Sequence, residues 1–361
     1  MTQRPIMIMA GGTGGHVYPA LAVADELRKR GVPVVWLGTR KGIEARLVTE
    51  AGFDMEWMGV SALRGKGLLS LLLAPVTLLL AGIQALRIVA RRDPCAVLGM
   101  GGFVAGPGGL MAWLLRKPLL VHEQNAIPGL TNKILAKFAG VVMEAFPNSF
   151  PSTFRGTVHV GNPIRRNIAT LASPAQRLKD RDGALRLLIF GGSLGAAALN
   201  DVVPQALAVL PKDKRPLVWH QTGAKNIEQA TTNYAQLQIP ARVDAYIDNM
   251  AEAYAWADLV LCRAGAMSVS ELAAAGVASI LVPYPHAVDD HQTANARYLV
   301  DAGAAILLPQ SLLSVEKLQG LLSDMTHARV LDMANRARRL GMPESTRIVV
   351  EQCLSAGGIS C

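Results

Sequence analysis

The sequence has only four cysteines, Cys95, Cys262, Cys353 and Cys361, with no CxxC spacing and no histidine cluster near them. That scatter argues against a zinc site and a disulfide framework, and it suits a reducing compartment. Low-complexity stretches are absent, and with 51% of residues apolar the chain has the material for packed cores. No glycine-rich turn runs on into GK[ST], so a Walker A loop is excluded. The G-x-G-x-x-G spacing is missing from the first turn, and the second predicted strand ends in Gly38-Thr39-Arg40-Lys41 without a ribose-binding acid. A nicotinamide reading is left with only Arg40 and Lys41, as ligands for a 2′-phosphate. The D-x-D string Asp180-Arg181-Asp182 lies in a polar stretch and reads as a solvated loop, so no metal site is expected. Basic residues are not interleaved with aromatics, which disfavours a nucleic-acid partner.

What is present is organised in two halves. At 361 residues the chain exceeds one ordinary core. Ile6–Ala10 runs into a glycine turn and reads as a first strand, not a signal peptide. Further strands are expected at Val32–Leu37, Ala96–Gly99, Leu119–His122 and Gly140–Glu144, with helices at Tyr18–Arg30 and Ile43–Ala51. The same grammar restarts after Gly161-Asn162-Pro163, with strands at Leu185–Phe190, Leu217–His220, Arg242–Tyr246, Leu259–Cys262 and Ser279–Val282. Strands interleaved with helices mean parallel, doubly wound sheets. The expected architecture is therefore α/β: two Rossmann-like domains, residues 1–162 and 163–340, facing a central cleft. Residues 341–361 form a last helix expected to cross back to the first domain.

Charge divides with the halves. Residues 1–162 hold seventeen Lys and Arg against nine Asp and Glu, whereas 163–361 are nearly balanced at nineteen against eighteen. A basic first half points to an anionic partner. Residues 67–90 are strongly apolar but contain Ser70, Pro75, Thr77 and Gly82 and sit inside a βα series, which argues against a membrane span. Two readings remain, a crossover helix packed on the sheet or an apolar patch on an anionic membrane. The flanking Arg64, Lys66, Arg87, Arg91 and Arg92 favour the second.

Three strand-end turns carry the candidate chemistry. Gly11-Gly12-Thr13-Gly14-Gly15-His16 opens a helix, and glycine there lets backbone N–H groups approach an anion at the helix's positive end. Gly101-Gly102-Phe103 supplies a second small-residue lip on the same sheet, and Gly191–Ala196 places Ser193 in the same setting in the second domain. His16, at the helix start, suits a general base near neutral pH. A capping or anion-binding histidine is the alternative.

Together these motifs resemble the MurG family of bacterial glycosyltransferases. The likeness rests on GGTGGH at 11–16, GMGGFVAGP at 99–107, HEQNAIPGLTNK at 122–133, GNPIR at 161–165, GGSLGA at 191–196, CRAGAMSVSELAAAG at 262–276 and HAVDDHQTANA at 286–296. The resemblance implies a GT-B fold, with UDP-N-acetylglucosamine (UDP-GlcNAc) bound mostly by the second domain and lipid I mostly by the first. Lipid I is undecaprenyl-pyrophosphoryl-MurNAc-pentapeptide, and the product is lipid II. It further implies that Ser193 and Arg165 meet the donor pyrophosphate, and that the Ile247 backbone reads the uracil. Glu271 would accept from the ribose hydroxyls, with Ala266, Met267, Ser268, Val269 and Ser270 lining the pocket. Asn125 and Gln292 would bind sugar hydroxyls, with Thr13, Gly14 and Gly15 beside the reacting centre. His122 and Glu123 would either support Asn125 or touch substrate. No cofactor is implied, and the partners would be the two substrates, an anionic membrane surface on its cytoplasmic face, and cell-wall synthesis and division proteins. Leu194 and His291 stand where some relatives carry glutamine, so no side-chain contact is carried over there. Met267-Ser268 replaces a common Leu-Thr.

Overall fold

The computed structural model describes residues 3–59, 74–151, 154, 156–192 and 194–359. Ser193 and residues 60–73 therefore lie outside the described residues. The chain divides into two compact units, Met1–Arg165 with Glu344–Cys361, and Arg166–Pro343.

In the first unit, strand β1 (Ile6–Met9) is apolar at every position and buried on both faces, as a central parallel strand must be. The sheet order is β3-β2-β1-β4-β5-β6-β7, and every pairing is parallel. Its members are β2 (Val34–Thr39), β3 (Asp54–Met58), β4 (Ala96–Gly99), β5 (Leu119–Glu123), β6 (Val141–Glu144) and β7 (Thr157–His159). Helices α1 (Gly14–Lys29) and α2 (Ile43–Glu50) cover one face around Ile8, Val17 and Trp36. Helices α3 (Ala74–Arg92), α4 (Ala105–Leu114) and α5 (Leu130–Leu135) cover the other face around Met9, Leu37 and Val97.

The second unit repeats the plan with β8 (Arg186–Phe190), β9 (Leu217–Gln221), β10 (Ala241–Asp244), β11 (Leu259–Cys262), β12 (Ala278–Leu281) and β13 (Ala305–Leu307). Their order is β10-β9-β8-β11-β12-β13, again all parallel. Besides the four-residue helices Arg166–Ala169 and Pro174–Arg177, its helices are α6 (Ala197–Ala208), α7 (Ile227–Gln236), α8 (Met250–Trp256), α9 (Ala266–Ala275), α10 (His291–Val300), α11 (Val315–Ser323) and α12 (His327–Leu340). The last helix, α13 (Ser345–Ala356), buries Val349, Val350, Cys353 and Leu354 in the first unit's core, against α1 and β4.

Both sheets reverse strand order once, between β1 and β4 and between β8 and β11. In doubly wound sheets ligands bind beyond the carboxyl ends of the strands at that switch point. The loops there are 10–13 and 100–104 in one unit, and 191–196 and 263–265 in the other. The fold thus puts the candidate turns at its two switch points. No helix among the described residues is long and apolar enough to cross a membrane.

Three details differ from expectation. Helix α1 begins at Gly14, four residues before the apolar periodicity sets in, because the glycine turn itself supplies its first turn. Edge strands β3, β7 and β13 were not anticipated; β3 carries Asp54 and Glu56, whose partners are Arg91 and Arg92 at the end of α3. Arg181 of the D-x-D string is no solvated side chain: its guanidinium pairs with buried Asp258 and caps the carbonyls of Ala255 and Trp256. Asp180 and Asp182 are exposed, and no acid, histidine or cysteine cluster able to hold a metal occurs among the described residues.

Candidate functional site

At the first switch point the two glycine loops are in contact. Gly102 has φ +84°, and a Cβ on it would stand 2.3 Å from the Gly11 carbonyl oxygen. Only glycine satisfies both the left-handed backbone and that approach. The His16 imidazole lies over Gly101, with Nε2 and Cδ2 each 2.9 Å from where a Cβ would be. Its Nδ1 is 3.3 Å from both the Gly11 carbonyl oxygen and the Thr13 hydroxyl. Thr13 is the N-cap residue of α1 yet makes no capping bond with its side chain, so the Thr13 hydroxyl does not satisfy the first N–H groups of the helix. Phe103 is half-buried on the second loop.

Beneath the first turn lies a group the sequence reading missed. Glu44, the second residue of α2, is 1% exposed and accepts from Gly12 N at 3.0 Å, Thr39 N at 3.1 Å and the Thr39 hydroxyl at 2.8 Å. In sequence it resembles any acid in a helix's first turn. Only the return of β2 beside β1 brings it under the glycines.

At the end of β5 a second polar network forms. Glu123 is buried and accepts from Asn125 N at 2.9 Å, Asn125 Nδ2 at 3.2 Å, Gly129 N at 3.1 Å and Asn132 Nδ2 at 2.9 Å. It therefore sets the conformation of the Asn125 loop. His122 is fully buried, which pushes its pKa down to about 4 and keeps it neutral. Its Nε2 donates to the Gly161 carbonyl at 2.9 Å, and Nδ1 accepts from Gln124 Nε2 at 3.0 Å. Asn162 Nδ2 donates in turn to the Gln124 carbonyl. This network ties the β5 loop to the segment that leads to half-buried Arg165, the last residue before the chain leaves the unit. The geometry thus makes His122 and Glu123 supports for Asn125 and Gly161.

In the second unit, Gly195 has φ +75° and a Cβ there would fall 1.8 Å from the Thr222 carbonyl oxygen, so the 191–196 turn is pressed against the β9 loop. Helix α9 opens at Gly265 without a side-chain cap. Its first N–H groups, in Ala266, Met267 and Ser268, stand at the end of β11, where the helix dipole favours an anion. Val269 is buried in the core and Ser270 half-buried on the same helix. At the other end of α9, Arg177 donates to the carbonyls of Ala275 and Gly276 at 2.9 and 2.6 Å, and Arg338 to that of Ala274. Cations there complement the negative pole of the helix. Glu271 is 8% exposed and accepts from the Tyr254 hydroxyl at 3.1 Å. A solvated helix carboxylate is thereby excluded; Tyr254 orients it instead. Gln292 commits its carbonyl oxygen to Tyr284 N at 2.9 Å, and Ile247 is buried just beyond β10.

All described candidate residues therefore lie at the carboxyl edge of one sheet or the other. Thr13–His16 and Gly101–Phe103 form one cluster, Asn125 and Arg165 are linked through a second, and Ile247, Ala266–Glu271 and Gln292 belong to the other unit.

Two doubly wound parallel sheets, each with a glycine-rich turn at its switch point, make up the GT-B fold. Residues 6–144 match the glycosyltransferase family 28 N-terminal domain and residues 186–345 the family 28 C-terminal domain. A UDP-N-acetylglucosamine–N-acetylmuramyl-(pentapeptide) pyrophosphoryl-undecaprenol N-acetylglucosamine transferase of Nitrosococcus oceani is 54% identical, over 97% of this chain and 98% of that one. The crystal structure of Acinetobacter baumannii MurG superposes with a TM-score of 0.85 at 41% identity, over 98% of this chain and 99% of that one. The chain belongs to glycosyltransferase family 28, in its MurG branch. A UDP-GlcNAc 2-epimerase from Neisseria meningitidis, at 12% identity over 97% of this chain and 99% of that one, with TM-score 0.66, shares the fold alone.

Proposed function

We propose that the protein transfers N-acetylglucosamine from UDP-GlcNAc to the C4 hydroxyl of the MurNAc unit of lipid I, forming lipid II in peptidoglycan synthesis. The observation that carries this reading is the near-complete, 54% identical match to a transferase named for that reaction. In this reading the acceptor hydroxyl attacks the anomeric carbon while His16 Nε2 takes its proton. The glycosidic bond to UDP breaks with its electron pair going to the departing phosphate oxygen, and inversion gives a β-linkage. Thr13, Gly14 and Gly15 border that centre, and Gly101–Phe103 form the acceptor-side lip. The open start of α9 and the 191–196 turn, with Ser193 and Arg165, stabilise the charge on UDP. Glu271 holds the ribose diol, the Ile247 backbone reads the uracil, and Asn125 and Gln292 bind sugar hydroxyls. This chemistry needs no cofactor.

The test is lipid I plus UDP-GlcNAc, assayed for lipid II with and without EDTA. Formation of lipid II at equal rates in both arms is expected. Epimerised sugar nucleotide without transfer would sink the reading.

The acceptor lipid implies work at a membrane. On α3, Val76, Leu79 and Leu80 are 55%, 65% and 59% exposed, and α3 packs on α4, where Leu110, Trp113 and Leu114 are also exposed. Leu130 and Ile134 on the adjoining α5 extend the patch, and Arg116, Lys133 and Lys137 lie exposed around it. Apolar area rimmed by cations fits an anionic bilayer surface. A peripheral position on the cytoplasmic face follows from this reading. Replacing Leu79 and Leu80 together by serine is expected to weaken sedimentation with phosphatidylglycerol vesicles about tenfold or more. Unchanged sedimentation would remove the patch from that role.

A further inference from the structure

The Gly11–Gly12 peptide is contacted on both edges, by the Glu44 carboxylate and by the His16 imidazole. Its N–H donates to Glu44 Oε2 at 3.0 Å, while its carbonyl oxygen stands 3.3 Å from His16 Nδ1. In a trans peptide the N–H and C=O vectors are antiparallel, so one plane reports to two partners on opposite edges. We propose that Glu44 is a positioning residue for the transfer reaction, acting on His16 through this single peptide unit.

The chemistry runs in sequence. A carbonyl oxygen only accepts, so a hydrogen bond to Gly11 places the proton on Nδ1 of the neutral imidazole, whereas the opposite tautomer would accept from the Thr13 hydroxyl, equally 3.3 Å from Nδ1. Nε2 then holds the lone pair, and Nε2 is the nitrogen over Gly101 at the lip of the site. The three groups on Glu44 are all donors, Gly12 N–H, Thr39 N–H and the Thr39 hydroxyl. They fix an acceptor-only carboxylate in place. A fixed negative charge on the N–H edge polarises the amide and strengthens its carbonyl as an acceptor. It therefore shifts the balance toward the Nδ1–H tautomer, with the Thr13 hydroxyl as a second acceptor, and favours the imidazolium formed when Nε2 takes a proton. The logic is that of an acid–histidine pair orienting a base, with a peptide plane interposed.

Space around the carboxylate agrees with this role. A Cβ on Gly11 would stand 2.8 Å from Glu44 Oε1, and one on Gly42 would meet the same carboxylate at 2.0 Å. The chain is cut away on both sides so that the acid can reach the turn.

The proposal rests on His16 being the base, and the tests separate the two. In Glu44→Gln, the amide oxygen can keep the Thr39 contacts, which leaves an NH2 group facing Gly12 N–H, donor against donor. With lipid I as acceptor, kcat is expected to fall about ten- to a hundredfold, with KM for UDP-GlcNAc within about twofold. Imidazole 15N spectra of the free enzyme, with His16 assigned by its loss in His16→Gln, are expected to show Nδ1–H in the wild type. The Glu44→Gln protein should show a tautomer mixture. Turnover within twofold of wild type, or an unchanged tautomer, overturns the role of Glu44. If Glu44→Gln does not fold, Thr39→Val, which removes one of the three donors, is read the same way and should lose about threefold to tenfold in kcat. The tautomer is measured without substrate, so it judges Glu44 even if His16→Ala turns out active and the base assignment falls.

Discussion

A His16→Ala enzyme is expected to lose between about a hundredfold and ten-thousandfold in turnover of lipid I, the range over which a positioned proton acceptor accelerates such steps. The reasoning is geometric. Alanine keeps the helix, since it is the best helix former, and it removes the imidazole that faces Gly101. Nothing in the second unit is altered, so KM for UDP-GlcNAc should stay within about threefold. A loss in kcat alone marks an interaction made in the transition state, whereas parallel loss in donor binding would mean a disturbed fold. Near-native turnover would leave His16 as a substrate-binding or capping residue.

The other large effect is expected from Gly102→Ala. A methyl group there would meet the backbone of Gly11: its carbonyl oxygen, carbon and nitrogen at 2.3, 3.0 and 3.1 Å. Flexible side chains can move aside, but these atoms belong to the turn that carries His16. The left-handed φ adds a strain of roughly 1–3 kcal/mol for a residue with a Cβ. Relief can come only by separating the two loops, which shifts the Gly11–Gly12 peptide and the imidazole together. Expected outcomes are a drop of about a hundredfold or more in kcat, a lower melting temperature, and UDP-GlcNAc still bound. Wild-type activity would mean that the loops need not touch for catalysis.

The central strands were legible in the sequence because they are buried on both faces. Uninterrupted apolar runs such as Ile6–Met9 and Leu259–Cys262 leave few alternatives. Glycine turns directly after them mark the switch points without reference to any contact. Edge strands were not legible for the converse reason. Strand β3 has one protected side, so it tolerates Asp54 and Glu56, and what makes those acids acceptable is a pair of arginines some 35 residues later. The site divides in the same way. His16 and Glu271 stand in distinctive local strings and could be picked out. Tyr254, which orients Glu271, and Glu44, which underlies the first turn, have ordinary neighbours in sequence and gain meaning only from the packing of separate elements. Local pattern picks out the candidate groups; the groups that hold them in place are set by topology.

The return of α13 to the first sheet has a consequence for biosynthesis. Val349, Val350, Cys353 and Leu354 complete a core whose other members are as early as Ile6. During translation the first unit must wait, with that face of its sheet uncovered, while the roughly 180 residues of the second unit are made. At about 5–20 residues per second that is an interval on the order of ten to forty seconds. The N-terminal unit is thus the first begun and the last finished, and the nascent chain spends that interval with apolar surface open to chaperones.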